Sequence, residues 1–302
     1  MNNIPSKQNE DFQLQLLLAQ RLMYSSAKRW SLSQLIIIVF GSIGVTIFAK
    51  LAPTMHCYAA LCAVVLTLLN EIFISSYILN KKRLAARTQE LFDSNVFELP
   101  WNTVYAEEKP TPEDIIIYTS SNCISFKELK DWYHPIIGNE DISIARIICQ
   151  RINIDYDNRL RLNYIKFLLV LVVFTFITCF IIAMWKNMSL VSFLIGLIIP
   201  IFPAILFFVR ELKDHNKSMN RLKVVTDKVK ATWGKILTAT NNELLIDSIE
   251  IQSAIFLHRV TDPLVPDWLY KKMRSKREIN AETLTKCLHQ ELNDIRQKKY
   301  HT

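Results

Sequence analysis

Four long apolar runs, arranged as two tight pairs, constrain this chain more than any other feature: Leu32–Ala49, Tyr58–Leu79, Phe167–Trp185 and Leu190–Val209. A bilayer core is about 30 Å thick, so a helix needs about 20 mostly apolar residues to cross it. A helix on a soluble surface carries a polar face, and these runs carry none. Lipid offers backbone groups no water, so each run is expected to be a helix. The links within the pairs are short, Lys50–Cys57 with Pro53 as turn residue and Lys186–Ser189. Such links join antiparallel neighbours. The expected fold is mainly α: a polytopic membrane protein with four transmembrane helices in two hairpins and a mostly helical cytosolic domain. Its parts are an amphipathic N-terminal helix (1–31), a first hairpin (32–79), a cytosolic insert (80–164), a second hairpin (165–209) and a helical C-terminal region (210–302).

Charge orients the hairpins. Lys28 and Arg29 precede the first run, and Lys81, Lys82, Arg83 and Arg87 follow the second. Arg159, Arg161 and Lys166 precede the third, and Arg210, Lys213 and Lys217 follow the fourth. The turns hold only Lys50 and Lys186. The positive-inside rule puts both termini and the insert in the cytoplasm. The net charge of +8 is uneven: residues 210–302 carry 18 basic against 12 acidic residues, whereas 80–164 carry 11 against 13. A basic cytosolic face attracts anionic lipid heads or an anionic ligand, or merely solubilises.

Cys57, Cys62 and Cys179 fall in or beside the runs. Cys123, Cys149 and Cys287 are expected as free thiols in a reducing cytosol. No CxxC pair or His spacing suggests a metal, and no cofactor is expected. Enzyme motifs are absent too: no Gly-rich phosphate loop, no GxSxG and no HExxH. The chain is therefore not expected to be an enzyme. Five glycines in 302 residues suit helices better than turn-rich sheets. The positions Leu212, Met219, Leu222, Val225, Val229, Trp233 and Ile236 predict a long helix with one apolar stripe, packed within the chain or on another subunit. Ile115–Tyr118 reads as β-like. A short helix is expected over 126–133, a further helix over 243–260 and a charged one over 281–298.

Glu71 is the one acidic residue in the four runs. Ala59, Ala63, Thr67, Glu71 and Ser75 recur every four residues, with Asn70 at the edge of the stripe. A charge in lipid costs several kcal/mol unless paired or wet, which makes it a functional candidate. Two readings stay open for Asn70, Glu71, Thr67 and Ser75. Either they line an aqueous path in an oligomer, or they pack and hydrogen-bond neighbouring helices.

Several short motifs recur in a known order. They are Gln89-Glu90-Leu91-Phe92-Asp93 leading to Leu99-Pro100-Trp101-Asn102, then Asp131-Trp132-Tyr133. Cys149-Gln150-Arg151 with Asn153, Tyr156-Asp157, Leu160-Arg161, and Arg259 with Pro263-Leu264-Val265-Pro266-Asp267-Trp268-Leu269-Tyr270 follow. With the two hairpins, this order resembles the S-4TM family of bacterial four-transmembrane pore-forming effectors. The resemblance implies a role in CBASS-type antiphage defence, beside an enzyme that makes a cyclic oligonucleotide. The nucleotide would bind the cytosolic part, and the effector would oligomerise and permeabilise the inner membrane, killing the infected cell. The implied partners are the bilayer, further copies of the chain and the nucleotide, with no DNA or RNA polymer. Such a ligand calls for Arg against phosphates and flat rings against bases. The candidates are Trp101, Trp132, Tyr133, Arg146, Arg151, Arg159, Arg161, Arg259 and Trp268, each also readable as a core anchor or a flank of a span. Asp155 and Asp157 are candidate ion-pair partners for these arginines. The alternative is a non-conducting membrane-anchored receptor or scaffold that recruits a partner through its cytosolic helices. A small transporter fits less well, because both hairpins have the same orientation.

Overall fold

The first and third apolar runs do not sit on helices of their own; each is the apolar half of a long helix whose other half lies in a polar, packed region. The computed structural model describes residues 1–51, 61, 65, 70–120, 126–194 and 198–300. A single turn, α1 (Ile4–Lys7), leads into α2 (Asp11–Leu51). A π-helical turn at Asn70–Ile74 runs directly into α3 (Ser75–Phe97). Next come α4 (Pro112–Thr119) and α5 (Ile142–Trp185), followed by α6 (Leu190–Phe193) and α7 (Ile199–Gly234). The chain closes with α8 (Asn241–Thr261) and α9 (Asp267–Tyr300). No strand occurs among the described residues, so the mainly helical fold class holds.

α2 pairs with α3, α5 pairs with α7, and α7 also touches α2. α8 packs across α3, α5 and α7, and α9 lies on α5. One core fills the polar-flanked end of this assembly. Leu14, Leu17 and Met23 from α2 meet Phe92 and Phe97 from α3, Ile147 and Ile148 from α5, Val229 from α7, and Ile251 from α8. The stripe on α7 belongs to this core: Leu222, Val225, Val229, Trp233 and Ile236 are all buried. It is therefore covered within the chain.

Beyond that core the same helices present bare apolar side chains. Ile36 and Phe40 on α2, Val170, Phe174 and Phe180 on α5, and Phe202 and Leu206 on α7 are all exposed. A contiguous apolar surface of this kind marks an interaction with lipid or another protein. Among the described residues, Ile142–Trp185 is one helix long and apolar enough to cross a membrane, and only 11% of its apolar stretch is buried. The expected first run lies inside α2. Most of the expected second run, and residues 195–197 of the fourth, lie outside the described residues. So do the turn at Pro53, and Cys57, Cys62 and Cys123; Cys149, Cys179 and Cys287 are free thiols.

Ile115–Tyr118 is helical, contrary to the β-like reading. Thr111 accepts a hydrogen bond from the Asp114 N–H while the Asp114 carboxylate accepts from the Thr111 N–H, and Pro112 occupies the first turn. This reciprocal cap starts a helix that the β-branched run alone does not suggest. Only Phe126–Glu128 of the expected 126–133 helix forms, as a 3-10 turn. The last helix begins fourteen residues ahead of the expected start, at Asp267.

Candidate functional site

Helical spacing gathers a ligand-sized cavity beside the core. On α2 the positions Leu17, Arg21, Tyr24 and Lys28 fall on one face, and on α5 so do Asn153, Asp157 and Arg161. These faces, with α8 and the start of α9, enclose about 740 Å³, within the range of small-molecule sites. Six cations line it: Arg21, Lys28, Arg161, Arg259, Lys271 and Arg274. Tyr24, Trp132, Tyr156 and Tyr270 supply flat surfaces. Three of these rings run in series, Trp132 to Tyr156 at 6.3 Å and Tyr156 to Tyr270 at 6.2 Å. The Lys28 ammonium sits 5.4 Å from the Tyr270 ring centre.

Five of these six cations, Arg21, Lys28, Arg161, Arg259 and Arg274, are already held by carboxylates. Arg259 donates to Asp93 at 2.6 Å and lies 3.6 Å from Glu90. Gln252 bridges the same two acids, donating at 2.8 Å to Glu90 and 3.2 Å to Asp93. Burial pushes the Glu90 carboxyl up to about 7, against the pull of Arg259. A second network surrounds Asp157, which accepts from Arg161 at 2.6 Å and faces His258. His258 also faces Asp262, whose carboxylate accepts from Ser218 at 2.6 Å and from Arg221. Burial would raise both aspartates, yet Arg161 and His258 hold Asp157 well below the usual carboxylate range. His258 and Ser218 do the same for Asp262. Burial alone would lower His258; its bonds to the two aspartates raise it instead. The two anions on either side of the imidazole therefore favour its protonated form. At the edge of this network burial pushes the Lys82 ammonium down to about 8.

Residues 2–288 match the SMODS-associating 4TM effector domain. The chain belongs to that family. A probable CBASS effector molecule of Bacillus cereus strain VD146 is 27% identical over 278 residues, covering 87% of this chain and 90% of its own length. No solved structure matches the chain. Membership of a 4TM effector family implies a membrane location.

In this 4TM effector, the cavity brings together Trp132, Arg161 and Arg259 from the sequence candidates. The others stand elsewhere. Tyr133 is buried in the core, its hydroxyl donating to Asp93 and accepting from Asn153 at 2.8 Å. Arg146 ends α3, donating to the carbonyls of Phe97 and Glu98. Arg151 stacks over Trp233, and Arg159 pairs with Asp155 on the surface. Trp101 donates to the Glu107 carbonyl, and Trp268 packs edge-on against Phe167. Thr67 lies outside the described residues, as do the side chains of Asn70 and Glu71, whose backbones form the π-helical turn. Ser75 accepts a hydrogen bond from Gln34 at 2.9 Å. Sequence reasoning missed Tyr24, Lys28, Lys271, Arg274 and His258. Tyr156 and Tyr270 stood in the family motifs without being singled out. Among the described residues no group of His, Cys, Asp or Glu is arranged to hold a metal ion.

Proposed function

We propose that this chain is a membrane effector of CBASS-type antiphage defence, switched on by a cyclic oligonucleotide and acting by permeabilising the bacterial inner membrane. The observation that carries this reading is the cavity. It offers cations for phosphates and a series of rings for bases, and two of its walls are the polar parts of α2 and α5, helices that bear apolar runs. Arg161 and Arg259 are the phosphate-facing candidates, joined by Lys28, and Trp132, Tyr156 and Tyr270 the stacking ones. In this reading four spans form two hairpins, with both termini and the central insert cytoplasmic. Trp30 and Tyr77, 5.1 Å apart ring to ring, then mark the inner interface where the first two spans leave the bilayer. The active species is an oligomer, no nucleic-acid polymer takes part, and the chain performs no catalysis. The burial of the α7 stripe removes the motive for a scaffold that recruits a partner there.

Purified protein in dye-loaded phosphatidylethanolamine/phosphatidylglycerol vesicles tests it. Dye release is expected on addition of one member of a panel of cyclic di- and trinucleotides. Silence toward the whole panel, with insertion verified, counts against it.

A further inference from the structure

We propose that the short segment Asp262–Asp267 is a clasp that holds the bases of all four apolar helices in a resting arrangement, and that a polyanion in the cavity opens it. This rests on the reading of the cavity as the ligand site. The segment joins α8 to α9, and Pro263 and Pro266 restrict its backbone. Each long helix donates to it. From α2, Ser25 and Lys28 reach the Asp267 carboxylate at 2.6 and 2.8 Å. From α3, the buried Lys82 ammonium donates to the Asp262 carbonyl at 3.0 Å. From α5, Arg161 donates to the Pro263 carbonyl at 2.9 Å. From α7, Ser218 and Arg221 grip the Asp262 carboxylate, which is itself fully buried. The polar grips continue into an apolar one. Val265 and Leu269 are buried against Leu160, Tyr164 and Leu168, where α5 turns apolar, and Trp268 meets the Phe167 ring at 4.8 Å.

The clasp and the cavity share their groups. Lys28, Arg161, Asp262 and Asp267 all line the cavity. A phosphate arriving there meets cations already satisfied by the clasp and carboxylates of its own sign. Lys28 and Arg161 cannot serve both fully, so binding trades clasp contacts for ligand contacts. A ligand shifts such an equilibrium only through its different affinity for the two states, and this exchange supplies the difference. The coupling is reciprocal: a weakened clasp leaks without ligand.

The test needs no ligand. Asp267 is part-exposed, so Asp267→Asn removes a charge while leaving the core intact. Full-length Asp267→Asn in dye-loaded vesicles is expected to release dye roughly tenfold faster than wild type without nucleotide. The double variant Ser25→Cys/Asp267→Cys, in a Cys287→Ser background, uses one polypeptide as its own control. Reduced, it has lost the Asp267 grip and leaks. Oxidised, with the bond confirmed by thiol counting, it is covalently clasped and falls back to the wild-type rate. Equal leakage in the two redox states, or wild-type tightness of both Asp267→Asn and the reduced pair, overturns the clasp. A wild-type chain deaf to every nucleotide while these variants leak ends the ligand reading alone. Silent variants in a nucleotide-responsive protein end the clasp alone.

Discussion

At the residue scale, Arg259 shows how the cavity wall is stabilised. Its guanidinium neutralises two acids that are almost fully buried, Asp93 and Glu90, and Gln252 completes their hydrogen bonding. Removing one partner of a buried pair leaves the other uncompensated, at about 3–5 kcal/mol. Arg259→Leu is therefore expected to lower stability by about that much in detergent, seen as a lower thermal midpoint. Adding Asp93→Asn and Glu90→Gln in the same chain should recover most of the loss; no recovery would mean that packing, not charge, is what Arg259 supplies. The residue scale also shows why only part of the site was legible. Arg161 and Arg259 stand out in a sequence because arginines in a motif invite a phosphate. Lys28 does not, since a lysine before an apolar run already has a sufficient explanation in orienting the span. His258 stands out even less: its partners are Asp157 and Asp262, the first of them 101 positions away along the chain.

At the element scale, the ends of the helices carry the information that periodicity lacks. α3 stops at Glu98, a non-glycine residue in the left-handed region at φ 54. The Leu99 N–H turns back to the Ser94 carbonyl, and Arg146 from α5 satisfies the Phe97 and Glu98 carbonyls. Charge-assisted bonds of this kind contribute about 1.5–3 kcal/mol each. Arg146→Met is expected to destabilise the fold by about 2–4 kcal/mol in thermal unfolding, while the concentration of nucleotide giving half-maximal dye release stays at the wild-type value. A large rise in that concentration would instead put Arg146 in the ligand site. The helical class was legible in the apolar runs and in the α7 stripe, because a single surface pattern decides both. Ile115–Tyr118 was not, because three isoleucines and a tyrosine in a row have no period to read. The decisive signal was the Thr111-Pro112-Glu113-Asp114 start ahead of it, whose reciprocal hydrogen bonds outweigh side-chain preference over eight residues.

At the scale of the whole molecule, the question is where water crosses. The apolar parts of α2, α5 and α7 leave a gap of about 340 Å³ between Leu35, Phe40, Val172, Ile201, Ile205 and Phe208. Its described lining is almost wholly apolar, and voids of that kind stay dry. The outward faces are bare Val170, Phe174 and Phe202, suited to lipid. Among the described residues no water path is built between these three helices of one copy; the proposed permeation then draws its polar faces from several copies, with the stripe of Thr67, Glu71 and Ser75 as the candidate lining. Initial dye release at saturating nucleotide should then rise more steeply than the protein-to-lipid ratio, with a logarithmic slope of about two or more at low density, as assembly by mass action demands. A slope of one down to roughly one chain per vesicle would mean that a single copy suffices. Glu71→Gln separates the two roles of the stripe in the same assay: loss of release with the steep slope intact would place the carboxylate on the path, whereas a changed slope would place it between the copies.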